Sequence, residues 1–424
     1  MLRSLRHRNF RLFFTGQLIS LVGTWMQTVA ESWLVYRLTG SAAMLGVIGF
    51  SSQIPVFLFA PIGGAVADRY NRQYVVIGTQ TAAMLLAGVL ASLTLTGVVQ
   101  VWHVAVLAAS LGVVNAFDIP ARQSFIVEMV GREDLPNAIA LNSSMFNGAR
   151  IVGPAVAGVL VAAIGEGWCF AANAISYIAV ITGLFMMNVP RSAQKPVGSA
   201  VQRIREGFSW VARNAPIRDI LLLLGSVSLL GMPFSVLMPI FADRILHGGA
   251  SGLGILMGAS GVGACAGALT LAARRGVRGL GSWVMIACGG FGVSLACFSL
   301  SRVFWLSAVL LVPVGYSMMV QMASSNTLIQ TYSPDYIRGR VMAVYSMMFM
   351  GMAPLGSLLA GSLAHQLGAP EVVLGSGIGC VIAAAVFGRR LPKLRIAARE
   401  MILAQQMVAG NPAEEVTATG TEEE

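Results

Sequence analysis

The chain has 424 residues, 56% hydrophobic and only 11% charged, with a mean hydropathy of +0.74. A soluble domain carries roughly a quarter of its residues charged, so this composition excludes an ordinary water-soluble protein. The net charge of +10 does not indicate nucleic acid, because no basic cluster is interleaved with aromatics. It fits contact with anionic inner-leaflet lipid instead.

The first eleven residues carry Arg3, Arg6, Arg8 and Arg11. The apolar run behind them is too long for a signal peptide and lacks a small-residue cleavage site, which predicts a retained first helix. A helix needs about 20 residues to cross the hydrocarbon core. Twelve stretches qualify: 12–36, 44–67, 74–96, 101–127, 138–164, 168–189, 217–242, 253–273, 282–300, 303–332, 341–366 and 372–388. The long polar connection, 190–216, places Val201, Ile204, Phe208 and Val211 at helical spacing against Arg203, Arg205, Glu206 and Arg213. That pattern predicts an amphipathic helix on the membrane surface. The tail, 391–424, is basic and then acidic (Glu414, Glu415, Glu422, Glu423, Glu424), and its last part is expected to be disordered.

Threading the spans alternately, with both termini in the cytoplasm, leaves only Arg37, Arg244 and Arg302 on the far side; Arg150 lies deep within a span, and Arg122 and Arg218 within the inner ends of theirs. Basic residues resist translocation, so the asymmetry predicts this orientation in a cell membrane, the bacterial inner membrane. The expected units are a six-helix bundle over 1–189, a linker over 190–216, a second bundle over 217–390 and the tail. The halves read as repeats. Gly153, Gly158 and Gly165 recur as Gly356, Gly361 and Gly368, each displaced by 203, and Gly64 maps onto Gly267. The expected fold is an all-α integral membrane protein of two pseudo-repeated six-helix bundles, an architecture suited to alternating access. One chain supplies both halves, so a monomer is expected.

The turn after the second span reads Gly64-Ala-Val-Ala-Asp68-Arg69-Tyr70-Asn71-Arg72-Gln73. It resembles the signature loop of the major facilitator superfamily, with Asn71 in place of a glycine and Gln73 in place of a basic residue. The alternative is an ordinary basic turn. As a gate, Gly64 would allow close helix approach, Asp68 would sit near a helix N-terminus, and Arg69 and Arg72 would pair with carboxylates of neighbouring helices. The second half carries a degenerate copy, with Arg274, Arg275 and Arg278 after Gly267 and no Asp.

From Asp118 to Gly158 the chain resembles the drug and siderophore exporter branch of that superfamily, which includes enterobactin exporters and macrolide efflux proteins. The residues are Asp118-Ile-Pro120-Ala-Arg122-Gln123, Leu135-Pro-Asn137-Ala138 and Phe146-Asn147-Gly-Ala-Arg150-Ile-Val-Gly153-Pro154-Ala-Val-Ala-Gly158. Gly153, Pro154 and Gly158 resemble part of the fifth-helix motif of proton-driven antiporters, although Ala157 stands where that motif has glycine and Gly148 lies one residue out of place. Pro154 removes a helical hydrogen bond and the glycines thin the helix, which permits a bend.

Ionisable residues inside spans are costly and mark function. Glu31 follows Gln27 by one helical turn, lying in the cavity or at the outer interface. Asp118 and Arg122 sit four apart and can pair; Asp118 either forms a structural pair with Arg122 or Arg72, or carries a proton. Arg150 lies near the middle of the fifth span, one turn from Asn147 and two from Ser143. The second half offers no acid away from the span ends. It supplies Ser317, Gln321, Asn326 and Tyr345, with Met318, Met319, Met322, Met342, Met347 and Met348 as soft cavity wall or as gap-filling.

These residues lead to a secondary transporter exporting amphipathic organic compounds, drugs or siderophores, against inward proton flow. Import of a metabolite or lipid flipping on the same fold are the alternatives. No phosphate-binding loop of the Gly-x-x-x-x-Gly-Lys type occurs, and no nucleophile–base or carboxylate pair suggests an enzyme. The histidines at 7, 103, 247 and 365 and the five cysteines show no ligand spacing. No cofactor, metal or nucleic acid is expected; the partners are the substrate, protons and the bilayer.

Overall fold

The computed structural model describes residues 3–131, 133–187, 200–274, 276–277 and 279–408. Parts of the linker, Arg275, Arg278 and the acidic tail therefore lie outside the described residues. A short turn, Arg3–Arg6, leads into the first six long helices: α1 (Arg8–Thr39), α2 (Ala42–Arg69), α3 (Arg72–Leu95), α4 (Val101–Val130), α5 (Leu135–Ile164) and α6 (Glu166–Phe185). The amphipathic segment is helix α7 (Ala200–Arg213). The second half comprises α8 (Ala215–Ser226), α9 (Phe234–Ile240), α10 (Gly249–Ala273), α11 (Leu280–Leu300), α12 (Phe304–Tyr332), α13 (Asp335–Leu367) and α14 (Ala369–Val408).

Among the described residues eleven helices are long and apolar enough to cross a membrane, with α8 and α9 counted within one span, Ala215–Ile245. The twelfth expected span, α1, falls short only in hydropathy, because it carries Gln17, Thr24, Gln27, Thr28 and Glu31 among its apolar residues. It is 32 residues long and packs against α5 and α6 like its counterparts. The seventh span departs from a plain helix. Two π turns, Val227–Gly231 and Phe241–Ile245, flank α9. Pro233 and Pro239 remove backbone donors here, so the ladder widens where their rings would clash with preceding carbonyls.

Within the first half α2 packs on α4, and α6 on α1 and α3; in the second α10 packs on α12, and α14 on α11. The main cross-pairs between the halves are α2 with α13 and α5 with α10, with smaller contacts of α1 and α2 on α9. The glycine spacing read from the sequence has a direct structural meaning. Gly153 abuts α1 at Val22 and Trp25, and Gly356 abuts the seventh span at Leu229 and Pro233. Gly158 meets Gly254 across one inter-half seam, and Gly361 meets Gly46 across the other. Gly165 and Gly368 close their helices at φ 89° and 101°, a conformation glycine adopts without strain.

One match fails. A side chain at Gly64 would meet nothing within 4 Å, whereas at Gly267 it would strike the Tyr316 carbonyl. The close approach expected at Gly64 belongs to its neighbour Gly63, whose Cβ would lie 2.0 Å from the Ala116 oxygen of α4. One residue along a helix turns the direction by about 100°, so Gly64 faces away from α4.

Candidate functional site

The basic face of the bundle carries the α2–α3, α4–α5 and α12–α13 turns; the opposite face carries the α1–α2, α5–α6 and α9–α10 turns. The opposite face is shut. Gly158 and Gly254 lie so close that a Cβ on Gly158 would come within 2.9 Å of the Gly254 Cα, and one on Gly46 within 2.9 Å of the Gly361 Cα. Ser251 Oγ donates to the Gly158 carbonyl at 3.3 Å. Beside this seam Tyr36 Oη of α1 donates to Asp243 Oδ2 at 2.7 Å. Arg244 lies over the Tyr36 ring at 5.7 Å and donates to the Gly40 carbonyl at 3.0 Å. Gly40 caps α1 at φ 58°, and a side chain there would strike the guanidinium.

The basic face is open. A cavity of about 600 Å³ separates α2 from α13, with Phe57, Pro61, Gly64 and Asp68 on one wall and Tyr336, Arg340, Ser346, Met347 and Met350 on the other. The Asp68 side chain is 47% exposed and, among the described residues, pairs only with Arg72, at 3.8 Å. Arg72 is buried and bound to Glu128 Oε1 at 2.5 Å and to the Ala67 carbonyl at 3.2 Å. Arg69 lies by the Tyr70 ring at 5.9 Å and has no carboxylate partner among the described residues. The signature loop thus makes the expected carboxylate contact through Arg72 alone, within its own half. Across the cavity Arg340 is held by Glu206 of α7 at 2.8 Å. The counterpart loop places Arg274 over the Trp283 ring at 4.8 Å.

Asp118 is buried and fully engaged. Arg122 pairs with it at 3.3 Å, and Thr79 and Gln80 donate to it at 2.8 and 2.9 Å. Of the two partners read from the sequence, Arg122 is therefore the one it meets. Glu31 is half-buried and forms no ion pair among the described residues. Gln27 is buried against α6, accepting from Asn173 at 2.6 Å. On α5, Ser143, Asn147 and Arg150 form one stripe at helical spacing, and Asn147 donates to the Ser143 carbonyl at 2.8 Å. The Arg150 guanidinium lies 5.7 Å from the Trp25 ring, with Nη2 4.0 Å from Met318 Sδ.

The second-half candidates sit deeper. Ser317, Gln321 and Tyr345 are buried, and Gln321 Nε2 has no hydrogen-bond partner among the described residues. Tyr345 Oη reaches the Met322 carbonyl at 3.5 Å. Met348 packs beside Gly225, while Met347 and Met350 line the cavity instead. The structure gathers Asp68 and Gly64 in the cavity wall and leaves Gln27, Ser317, Gln321 and Met348 in packed interfaces. Missed from the sequence were Glu128, Arg340, Glu206 and the Tyr36–Asp243 pair, whose partners lie too far apart in the chain for spacing to show them.

Residues 1–418 match the family of transmembrane secretion effectors. The chain belongs to this branch of the major facilitator superfamily. The transporter is 23% identical to the staphyloferrin A transporter of Staphylococcus aureus, over 91% of this chain and 98% of that protein. It is 27% identical to the multidrug efflux pump Tap of Mycolicibacterium fortuitum, over 92% and 97%, and 25% identical to the enterobactin exporter EntS of Citrobacter koseri, over 92% and 93%. Among solved structures, the nucleoside transporter NupG superposes with a TM-score of 0.72 at 16% identity, over 92% of this chain and 99% of that one. A bacterial homologue of the lysosomal transporter Spinster, inward-facing and unoccupied, superposes at 0.69 with 14% identity, over 94% and 98%. The structural likenesses show the fold, and the family match makes the chain a multi-pass membrane transporter.

Proposed function

We propose that the transporter is a proton-coupled antiporter that carries amphipathic organic compounds out of the bacterial cytoplasm by alternating access. One observation supports this above the rest: the halves are sealed by glycine crossings at one face and parted by a cavity at the other. With the basic face in the cytoplasm, as the positive charge of its turns favours, this is the inward-open state. The apolar and methionine-lined wall suits varied apolar compounds.

Rocking the halves would close the cavity and bring Asp68 against the N-terminal turns of α13, where the helix dipole and Arg340 favour an anion. Glu31 is our choice for the proton-carrying group. It has no ion-pair partner among the described residues, whereas Asp118 is already held by Arg122, Thr79 and Gln80. The units proposed from the sequence follow the same geometry, α1–α6 and α8–α14 rocking as two bodies joined by α7.

Purified protein in vesicles with an imposed pH gradient tests the reading. The proposal expects gradient-dependent movement of a dye from a panel of amphipathic compounds, and loss of the pH dependence in Glu31→Gln. Movement indifferent to the gradient in the wild type would contradict it.

A further inference from the structure

We propose that Arg150 is an anion-binding subsite, and that the carried compound bears an ionised acidic group seated on this guanidinium with its apolar body against Trp25. The inference rests on the exporter reading and adds a substrate class to it.

Arg150 lies midway along α5. Val152 and Val159, about half a turn away in direction, are 48% and 66% exposed on the outer surface of the bundle. Arg150 therefore points inward, on the same stripe as Ser143 and Asn147. Its contacts are an aromatic face and a thioether, Trp25 at 5.7 Å and Met318 Sδ at 4.0 Å, the latter from the other half.

No carboxylate pairs with it among the described residues. The nearby acids are accounted for: Asp118 is taken by Arg122, Thr79 and Gln80. Glu31 lies six residues beyond Trp25 on α1, about 9 Å further along the helix. A guanidinium carries five donors in a fork that matches a carboxylate or a catecholate. A cation held inside a membrane without a counter-charge is costly, and an arriving anion removes that cost. Trp25 adds an aromatic platform, itself braced edge-on by Phe146 at 5.5 Å, where the body of the compound can stack.

The test compares two xanthene dyes of similar shape and opposite charge, fluorescein and rhodamine 6G, binding to the purified full chain followed by fluorescence anisotropy. The expected result is preference for fluorescein in the wild type. Arg150→Met weakens fluorescein about tenfold or more, Arg150→Lys, which keeps the charge but not the fork, weakens it less than Arg150→Met, and rhodamine 6G is not weakened. Melting temperatures establish that each variant is folded. Equal fluorescein affinity in wild type and Arg150→Met would overturn the proposal, as would parallel loss of both dyes. If Arg150→Met fails to fold, the wild type decides alone: rhodamine 6G binding as well as fluorescein, or no fluorescein binding, overturns it. Intact anion preference without gradient-driven transport would instead sink the exporter reading and leave the subsite standing.

Discussion

Tyr36 and Asp243, 207 residues apart and from opposite halves, share a hydrogen bond of 2.7 Å at the closed face. In the proposed alternating-access cycle the bond would exist only while that face is shut, and so would bias the conformational equilibrium.

Tyr36→Phe removes the donor and leaves the Asp243 carboxylate with one partner fewer. The loss is about 1 kcal/mol, a roughly five-fold shift toward opening of that face. Accessibility of a cysteine introduced at Leu38, exposed two residues beyond Tyr36, to a membrane-impermeant thiol reagent should rise by about that factor in the double variant relative to the single.

Gly158→Val places a branched side chain where the Gly254 Cα lies only 2.9 Å from a Cβ. Overpacking of this kind costs about 1–3 kcal/mol, here charged against the shut state. Transport should fall about tenfold while membrane insertion is unchanged; Val at Gly148, where a Cβ meets nothing within 4 Å, should leave transport near wild type.

Asp68→Asn keeps the shape of the cavity wall and removes its charge. Since Asp68 makes no contact with the second half in this state, the charge matters only once the cavity closes. The account expects normal insertion and turnover slowed about tenfold or more, because a group engaged in one state alone shifts the equilibrium by its whole differential. Wild-type transport rates would refute the latch.

Asp134, at the start of α5, accepts from His7 Nε2 at 2.8 Å and pairs with Arg3 at 3.4 Å. The His7 hydrogen bond, with the Arg3 charge behind it, holds its carboxyl below the ordinary value of 3.8. A depressed folded value means the tether contributes fully above the ordinary one and is lost as pH falls through the depressed one. Asp134→Asn should therefore lower the melting temperature above the ordinary carboxyl value, and by progressively less as pH falls below it.

The fold was legible because the bilayer demands long apolar helices, and glycines at constant displacement mark equivalent seams. The Asp118–Arg122 pair was legible for a local reason, four residues on one helix. What escaped was non-local or directional. Arg72–Glu128 and Arg340–Glu206 join separate helices, and Gly63 differs from Gly64 only in which way it points. Helix limits also moved: α14 runs to Val408, 20 residues past the expected end of the last span at 388, because the basic stretch after it continues the helix beyond the apolar run. Hydropathy marks where a helix leaves lipid, not where it stops.

The central claim is that the two faces open in turn. Spin labels at Tyr70 and Tyr336, both exposed at the basic face, report the cavity; labels at Trp102 and Trp305, both exposed at the opposite face, report the seam. Distance distributions measured by double electron–electron resonance across pH, with and without a transported compound, should move in opposite senses, one pair closing as the other separates. Two pairs that stay fixed, or that widen together, would contradict the account.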